Sequence, residues 1–355
     1  MARVLVTGGA GFIGANFVQQ WVKDRPAEPV VVLDALTYAG CRQNLDPVKH
    51  HAALSFVQGD IRDVALVESL IRAHQIDTIV NFAAESHVDR SITGPDAFID
   101  TNIVGTHSLL KAARRCWLEN DPATPHRFHH VSTDEVYGSL GPNDAAFSET
   151  TPYAPNSPYS ASKAASDHLV RAYHHTYGLC TTISNCSNNY GPYQFPEKLI
   201  PLMIIHALTG KPLPVYGDGL NVRDWLHVQD HCRAIDMILR SGRPGETYNI
   251  GGNSERGNRD LVERLCQVID VRFSESPSLA TRFQESNAAQ GRKSATAIQF
   301  VKDRPGHDRR YAINARKIRS ELGFDPKWTL EAGLAATVDW YLANETWWST
   351  LLQCR

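Results

Sequence analysis

The sequence predicts an α/β protein with a doubly wound parallel sheet and a smaller, discontinuous second lobe. In the first half of the chain, short apolar runs rich in β-branched residues alternate with longer segments that have helical apolar spacing. This alternation predicts a parallel sheet covered by helices on both faces. Strands that are buried on both faces are nearly continuously apolar. Five runs fit that description: RVLVT, VVVLD, LSFVQGD, TIVNFAA and RFHHVST.

The alternation of strand and helix patterns ends where proline becomes frequent. Five prolines lie close together there: Pro192, Pro196, Pro201, Pro212 and Pro214. We place the change of lobe in this region and expect the later run GETYNIGG to return to the main sheet. The main domain is therefore predicted at 1–188 plus about 222–252, and the smaller lobe at 189–221 plus about 253–355. Residues 273–294 predict a loop or a marginal helix, and the aromatic run WYLANETWW predicts helix core and docking surface.

Composition and charge are those of an ordinary globular protein. Of 355 residues, 42% are apolar and 21% are charged, and the formal net charge is −2. This charge gives no basic field for nucleic acid or an anionic membrane. We find no signal peptide and no apolar stretch near the ~20 residues of a membrane span, so we expect a cytoplasmic protein.

The cysteines point to the same compartment. They are odd in number and contain no CxxC pair, which favours reduced thiols in a reducing cytosol over a disulfide framework or a zinc site. The seven are Cys41, Cys116, Cys180, Cys186, Cys232, Cys266 and Cys354.

A glycine-rich run, VTGGAGFIG, follows the first predicted strand and opens a helix. Gly8, Gly11 and Gly14 have the spacing GxxGxxG, a variant of the dinucleotide-binding fingerprint. Such glycines permit a tight turn, a close approach of the backbone to a diphosphate, and close packing of helix on strand. The N–H groups at the start of the helix attract the phosphates. The run therefore predicts a dinucleotide site.

Two aspartates end the second and third predicted strands. Asp34 follows Gly14 by 20 residues, and a carboxylate there accepts both ribose hydroxyls of NAD and repels the 2′-phosphate of NADP. The alternative is an aspartate that merely caps the loop, but the upstream glycines favour the ribose role. For Asp60, a turn residue and an adenine contact both stay open.

The run YSASK contains Tyr159 and Lys163, which share one face of a predicted helix because they are four residues apart. A phenol normally has a pKa of about 10, too high for a base at neutral pH. A neighbouring ammonium stabilises the phenolate and lowers that pKa, and the lysine can also bind the nicotinamide ribose. An exposed helix pair is the alternative. The glycine-rich run and the strand end VST favour the catalytic pair.

Five longer strings extend these motifs: STDEVYG, NCSNNYGPYQFPEKLIPL, RDWLHVQDH, TYNIGG and DRPGHDRRYAI. With them, nearly the whole chain resembles the extended short-chain dehydrogenase/reductases that act on nucleotide sugars, in the branch that dehydrates dTDP-glucose. The resemblance implies a Rossmann fold and a tightly bound NAD that is regenerated in each turnover. It also implies a homodimer, formed through helices near Phe98–Cys116 and Tyr159–Tyr177.

The resemblance further implies conversion of dTDP-glucose to dTDP-4-keto-6-deoxy-glucose, a hydro-lyase step of rhamnose-type deoxysugar biosynthesis. Tyr159 would take the C4 hydroxyl proton while the C4 hydride passes to NAD, and Thr133 would hydrogen-bond the C4 oxygen. Glu135 would remove the C5 proton, Asp134 would protonate the departing 6-hydroxyl, and the hydride would return to C6. Adjacent carboxyl groups in different environments can differ in protonation and titrate as a coupled pair. Spacing alone does not assign their roles.

The positions that match the family fall into two further sets. Those implied to bind NAD are Gly8, Gly11, Phe12, Ile13, Gly14, Asp34, Leu36, Thr37, Asp60, Ile61, Ala83, Ala84, Ser86, Thr101, Tyr159, Lys163 and Asn189. Those implied to bind the nucleotide sugar are Ser86, Thr133, Asn188, Glu197, Lys198, Leu199, Pro214, Tyr216, Arg223, Asn258, Arg304 and His307. Arg223 and Arg304 stand at the implied diphosphate end, where arginine offers bidentate contacts. The alternative role of Arg223 is an ion pair with the adjacent Asp224.

Other functions fit parts of the pattern. A 4-epimerase or decarboxylase of the same fold shares the glycines, Tyr159 and Lys163, but as a rule lacks the pair Asp134–Glu135. An NAD-sensing regulator would be expected to have lost these groups. A UDP-hexose remains an alternative substrate. Two segments depart from the family pattern: GGNSERGN and residues 274–296. No metal is predicted, since His87 and His307 have no HxxxH or HExxH spacing.

Overall fold

The structure is a computed structural model that describes residues 2–120 and 125–353, so Cys354 lies outside the described residues. The strands in this part of the chain are β1 (Val4–Thr7), β2 (Val30–Asp34), β3 (Leu54–Gln58), β4 (Thr78–Asn81), β5 (Arg127–Thr133), β6 (Thr181–Cys186), β7 (Asn188–Tyr190), β8 (Leu213–Tyr216), β9 (Val222–His227), β10 (Thr247–Ile250), β11 (Glu255–Gly257) and β12 (Ile298–Val301).

The helices are α1 (Phe12–Asp24), α2 (Val64–Ala73), α3 (Val88–Thr93), α4 (Asp96–Phe98), α5 (Thr106–Arg114), α6 (Pro158–Tyr177), α7 (Leu199–Leu208), α8 (Val228–Ser241), α9 (Asn258–Glu275), α10 (Ser278–Arg282), α11 (Arg316–Leu322), α12 (Leu330–Ala343) and α13 (Glu345–Gln353). Wide π-helical turns (Ile99–Gly105 and Arg115–Glu119) flank α5, and single 3-10 segments occur at Arg42–Val48, Asp134–Tyr137 and Ser294–Ala297.

Seven strands form a parallel sheet in the order β3-β2-β1-β4-β5-β6-β10. All five strands predicted for the first half are in it, and the run GETYNIGG returns as the edge strand β10, as predicted. Helices α1, α8 and α11 pack their apolar side chains on one face, while α2, α5 and α6 cover the other. The doubly wound α/β class is therefore confirmed.

The smaller lobe has its own core, and two small sheets lie outside the main sheet. Strand β9 pairs with β7 in parallel and with β11 antiparallel, and β8 pairs with β12. Apolar side chains of α7, α9 and α12 fill the core of this lobe, among them Met203, Leu265 and Leu334. The residue ranges that we predicted for the two lobes stay a prediction.

Two uncertain segments of the second half are now defined. The polar stretch 273–294 contains the end of α9 and the short helix α10, followed by turns. The aromatic run WYLANETWW forms α12 and α13, and Trp348 is buried in the core of the smaller lobe. Within residues 2–120 and 125–353, no helix is long and apolar enough to cross a membrane.

Candidate active site

A cleft of about 350 Å³ opens at the carboxyl ends of the main-sheet strands, beside the point where the strand order reverses between β1 and β4. Open α/β sheets bind ligands at such a switch point. The predicted catalytic and NAD-binding residues line this cleft, except Asp134, which is buried behind it, and Leu36. The sequence motifs therefore converge on one site.

The glycine-rich loop between β1 and α1 leaves no room for side chains. Gly8 has a φ of +67°, and a Cβ there would lie 2.6 Å from the backbone nitrogen of Ala83. A Cβ on Gly14 would lie 2.3 Å from the carbonyl oxygen of Gly8. The loop lies directly before α1, which begins at Phe12. These backbone positions fit the diphosphate of NAD, which requires close approach to N–H groups at a helix start.

Asp34, at the end of β2, is held in place by two backbone groups. Its Oδ2 accepts a hydrogen bond from Ala10 N and its Oδ1 accepts one from Leu36 N, both at 2.8 Å. Leu36 thus shapes the loop after β2 without lining the cleft. Burial raises the pKa of Asp34, and these two hydrogen bonds oppose the rise. An ionised carboxylate has about four acceptor positions, so acceptors remain for ribose hydroxyls.

Asp60, which follows β3, forms the turn that the sequence allowed, and its contact with adenine stays a prediction. It accepts hydrogen bonds from Arg62 N at 2.8 Å and Arg62 Nη2 at 2.7 Å, so it shapes the turn. It also lines the cleft together with Ile61 and Arg62. The bonded Arg62 guanidinium lowers the pKa of Asp60, which keeps its carboxylate ionised.

Helix α6 places Tyr159 and Lys163 because its start is firmly capped. The Ser157 hydroxyl accepts from Ser160 N, the Ser160 hydroxyl accepts from Ser157 N, and Pro158 occupies the first turn. Such a capping box fixes where a helix begins. Lys163 is buried, and its Nζ donates to Val131 O at 2.8 Å and lies 3.3 Å from His130 Nε2.

The electrostatics of this pair differ from the prediction. Burial, followed by the charge of Glu135, raises the pKa of Tyr159 well above its ordinary value, and the Thr133 hydroxyl opposes this rise. Burial also lowers the pKa of Lys163, to about 8, while Asp167 opposes that change. The prediction that the pKa of Tyr159 is lowered is therefore wrong. The helix spacing gave no measure of how deeply both groups are buried.

The threonine and the acidic pair follow β5 in a single 3-10 turn. Thr133 Oγ1 accepts from Glu135 N at 3.3 Å and lies 3.4 Å from Asp134 Oδ1. The Asp134 side chain is buried and its Oδ2 has no hydrogen-bond partner, whereas Glu135 is half-buried and faces the cleft. The two neighbouring acids thus occupy different environments.

Charges nearby separate the two acids further. Burial, with the charges of Glu135 and Asp224, raises the pKa of Asp134 well above its usual range. Burial also raises the pKa of Glu135, but the cations Arg304, Arg223 and Lys198 oppose the rise. These directions favour a protonated Asp134 beside an ionised Glu135.

The far wall of the cleft carries amides and a charged pair. Asn189 donates to Ser187 O at 2.9 Å, and its Oδ1 lies 2.9 Å from His231 Nδ1, so its amide orientation is fixed. The Oδ1 of Asn188 is buried without a hydrogen-bond partner. Lys198 donates to Ser86 O at 2.7 Å, next to Glu197. All of these except His231 line the cleft.

The other predicted sugar-nucleotide residues lie outside the lining of this cleft: Leu199, Pro214, Tyr216, Arg223, Asn258, Arg304 and His307. Arg223 donates to Val222 O and Asp308 O and stacks on Tyr311, rather than pairing with Asp224. Asp224 instead accepts from the backbone nitrogens of Gly252 and Ser254.

Several of these residues form a polar cluster around Asp89, on α3. Arg304 Nη1 donates to Asp89 Oδ1 at 3.1 Å, and the Tyr216 hydroxyl donates to Asp89 Oδ2 at 3.4 Å. The rings of Tyr216 and His307 are 6.2 Å apart, and His307 Nδ1 lies 2.6 Å from Asp303. The expected ligand-binding side chains therefore contact one another in this structure.

Some lining residues were missed by the sequence analysis: Tyr38, Arg62, Glu85, Cys186, Gln194 and Phe195. Tyr38 and Arg62 follow the strand-end aspartates by two to four residues, so the rule that strand ends meet at one edge could have found them. Gln194 and Phe195 lie in the proline-rich segment, where no periodic pattern exists. Among the described residues, no group of three or more His, Cys, Asp or Glu side chains is arranged to hold a metal ion.

Known proteins match this chain over nearly its full length. The family described as GDP-mannose 4,6 dehydratase matches residues 5–337. A dTDP-glucose 4,6-dehydratase of Xanthomonas campestris pv. campestris (strain B100) is 59% identical over 349 residues, which cover 98% of this chain and 95% of that protein.

Solved structures show the same relationship. DesIV, a dTDP-glucose 4,6-dehydratase from Streptomyces venezuelae solved with NAD bound, matches with a TM-score of 0.85 and 48% identity, covering 98% of this chain and 99% of that one. A UDP-glucose 4-epimerase from Thermotoga maritima matches with a TM-score of 0.81 and 26% identity, covering 97% and 99%.

The fold and the site define an NAD-dependent member of the extended short-chain dehydrogenase/reductases, with a Tyr–Lys pair beside a dinucleotide loop. The acidic pair after Thr133 and the 59% identity narrow this class further. The chain belongs to the dTDP-glucose 4,6-dehydratase family.

Proposed function

We propose that this chain converts dTDP-glucose to dTDP-4-keto-6-deoxy-glucose, as a hydro-lyase of deoxysugar biosynthesis. The observation that carries the proposal is the position of Asp134 and Glu135. They follow Thr133 at the end of β5, and Thr133 and Glu135 line the same cleft as Tyr159 and the glycine-rich loop. An oxidation at C4 and an elimination across C5 and C6 need these groups within one sugar ring of each other.

In the first step, Tyr159 takes the proton of the C4 hydroxyl. Bound NAD accepts the C4 hydride and later returns it to C6. Because burial and Glu135 raise the pKa of Tyr159, a further positive charge is needed to favour the phenolate. The oxidised nicotinamide and the Lys163 ammonium supply it, and Thr133 hydrogen-bonds the C4 oxygen.

In the second step, the two acids remove water. The 4-ketone acidifies the C5 proton, which Glu135 removes as general base and returns to C5 when the hydride is delivered to C6. Asp134 gives its proton to the departing 6-hydroxyl as general acid. The directions of their pKa shifts support this assignment, because Asp134 is the more strongly raised and Glu135 faces three cations. The pair titrates as a coupled unit.

The proton balance of a turnover gives Thr133 a second task. After one cycle, Tyr159 holds the proton from the C4 hydroxyl, and Asp134 lacks the proton that left with water. Asp134 is 1% exposed, so direct exchange with solvent is restricted. Thr133 Oγ1 lies 3.4 Å from Asp134 Oδ1, and the Thr133 hydroxyl also opposes the rise in the pKa of Tyr159. The Thr133 hydroxyl is therefore placed to pass a proton from Tyr159 to Asp134.

The nucleotide is proposed to lie along Glu197, Lys198, Leu199, Pro214 and Tyr216, with its diphosphate near Arg223, Asn258, Arg304 and His307. We also propose that seven residues that line the cleft contact NAD, in addition to the glycines: Phe12, Ile13, Thr37, Ile61, Ala83, Ala84 and Thr101. The identity to dTDP-glucose dehydratases favours thymidine as the nucleoside.

The decisive test is incubation of the purified, NAD-loaded protein with dTDP-glucose, followed by mass spectrometry of the products. We expect loss of one water and no net change in NADH absorbance at steady state. A 4-epimerase would instead give an isomer of unchanged mass. Parallel reactions with UDP-glucose and GDP-mannose measure the strictness for thymidine. Failure to dehydrate dTDP-glucose would refute the proposal.

We further propose a homodimer in a reducing cytoplasm. Ile99, Val104 and Tyr177 lie on the helices implied to form the dimer, and each is at least 44% exposed. Exposed apolar side chains on neighbouring helices support docking of a second copy. No disulfide joins the cysteines of the described residues, which fits a reducing compartment. Sedimentation should give a dimer for the wild-type chain and a monomer for Val104→Glu.

A further inference from the structure

One indole of the aromatic C-terminal run reaches out of the smaller lobe towards the cofactor loop. Trp347, on α13, donates its Nε1–H to Asn44 Oδ1 at 2.8 Å. Asn44 lies in the 3-10 segment after β2 and is only 1% exposed. No step of the proposed reaction uses either residue.

The other end of the Asn44 amide holds the glycine-rich loop. Its Nδ2 donates to the carbonyl oxygen of Ala10 at 2.8 Å, and Cys41 N donates to the same oxygen at 3.0 Å. Ala10 lies between Gly8 and Gly11, and its own N–H is bound by Asp34. Both polar groups of Ala10 are therefore fixed, its N–H by Asp34 and its carbonyl oxygen by Asn44 together with Cys41 N.

The donor and acceptor chemistry determines the orientation of this amide. An indole can only donate and a carbonyl can only accept, so Asn44 must present its oxygen to Trp347 and its NH₂ to Ala10. If the indole N–H is lost, the buried Oδ1 of Asn44 has no partner, which costs free energy for as long as the side chain stays in this position. A shift of Asn44 that relieves this cost would weaken its hydrogen bond to the Ala10 carbonyl.

Aromatic packing fixes Trp347 itself. Its ring centroid lies 5.0 Å from that of Trp340 and 5.9 Å from that of Tyr193, which follows the proline-rich turn. Gln19, on α1, donates to Asn44 O at 2.7 Å. The contact thus joins a rigid helix of the smaller lobe to the loop that opens α1.

We propose that Trp347 is a positioning residue for NAD: through Asn44 it holds the Ala10 carbonyl, so that the N–H groups of the glycine-rich loop stay turned towards the diphosphate. A loop that is free to take other conformations binds only from its competent fraction, which lowers the apparent affinity by that fraction. This inference goes beyond the proposed function, since it requires NAD binding and no sugar substrate.

The test compares substitutions at two neighbouring tryptophans, each of which removes an indole N–H group. Trp347→Phe removes the indole N–H that binds Asn44 and keeps an aromatic ring. Trp348→Phe is the matched control, because Trp348 donates at 2.9 Å to Tyr341 O, inside the smaller lobe. Each purified holoenzyme is diluted, and the NAD that stays bound is measured over time by chromatography of the released nucleotide, beside a thermal unfolding curve.

We expect Trp347→Phe to weaken NAD binding by roughly five- to fiftyfold, in line with one buried acceptor left unpaired. Trp348→Phe should retain NAD like the wild-type chain, even if its unfolding temperature falls. Asn44→Asp keeps the acceptor for Trp347 but loses the donor to Ala10, so it should release NAD as Trp347→Phe does.

Two results would overturn the inference. One is NAD retention in Trp347→Phe and Asn44→Asp equal to that of the wild-type chain. The other is equal loss of NAD in Trp347→Phe and Trp348→Phe, which would assign the effect to general stability. Because the readout is NAD release, the outcome does not depend on whether dTDP-glucose is the substrate.

Discussion

The residues proposed to bind NAD present backbone atoms and short side chains near the ends of strands, whereas several of those proposed to bind the nucleotide sugar present long polar or charged side chains. The cofactor side comprises the glycine-rich loop, Asp34 and Asp60, which keep fixed hydrogen bonds to nearby backbone. The sugar-nucleotide side includes Tyr216 and Arg304, which both contact Asp89.

This difference indicates that the two sides meet their ligands in different ways. The cofactor side is preformed, because a glycine loop packed against Ala83 has few alternative conformations. On the sugar-nucleotide side, we propose that Arg304 exchanges its contact with Asp89 for a phosphate group of the ligand. We therefore expect NAD to bind an existing surface and the nucleotide sugar to reorganise side chains.

The largest effect is expected where the two sides meet, at Glu135. Glu135→Gln removes the base and should lower dehydration by about 10²–10⁴-fold, the usual contribution of a general base. Oxidation at C4 depends on Tyr159 and should persist, so absorbance of the reduced cofactor at 340 nm should build up when dTDP-glucose is added. Tyr159→Phe is the matched control, since it blocks oxidation and should give no such signal. Normal elimination by Glu135→Gln would remove that residue from the mechanism.

The next effect tests whether the cofactor side is preformed. Gly14→Ala places a Cβ 2.3 Å from the Gly8 carbonyl oxygen, and two backbone segments cannot move apart without disturbing the loop. We expect the purified variant to contain little NAD and to bind it at least ~100-fold more weakly. Gly94→Ala is the control, because its Cβ would meet its nearest neighbour only at 3.9 Å. Full NAD content in Gly14→Ala would show that the loop adapts.

On the sugar-nucleotide side, two variants should act in opposite directions. Arg304→Met removes a phosphate ligand and should raise KM for dTDP-glucose roughly 10- to 100-fold, with NAD content unchanged. Asp89→Asn releases Arg304 from its ion pair and should lower KM a few-fold. Steady-state kinetics of both variants give the KM for dTDP-glucose and test these two directions. A higher KM in Asp89→Asn would mean that the Asp89 contact orders Arg304 for binding rather than competing with the ligand.

The contrast between the cofactor side and the sugar-nucleotide side also explains which site residues could be placed from the sequence. Gly8, Gly14 and Asp34 obey rules that act within one strand–turn–helix unit, so their positions followed from spacing. The Asp89–Arg304 contact joins residues 215 positions apart, and no local pattern encodes it. The shift in the pKa of Tyr159 was predicted in the wrong direction, because depth of burial depends on the whole fold.

The smallest effect concerns the charges that tune the acids. Arg223 lowers the pKa of both Asp134 and Glu135, so Arg223→Met should raise both. Activity needs ionised Glu135 and is lost as the pH falls through its pKa; it also needs protonated Asp134 and is lost as the pH rises through that pKa. Both limbs of the pH profile of kcat should therefore move to higher pH, by roughly half a unit to one unit.

The control is Arg223→Lys, which keeps the positive charge and should leave the pH profile unchanged. A lower kcat with unmoved limbs in Arg223→Met would restrict Arg223 to binding the diphosphate, and the separation of the two acids would then rest on Arg304 and Lys198.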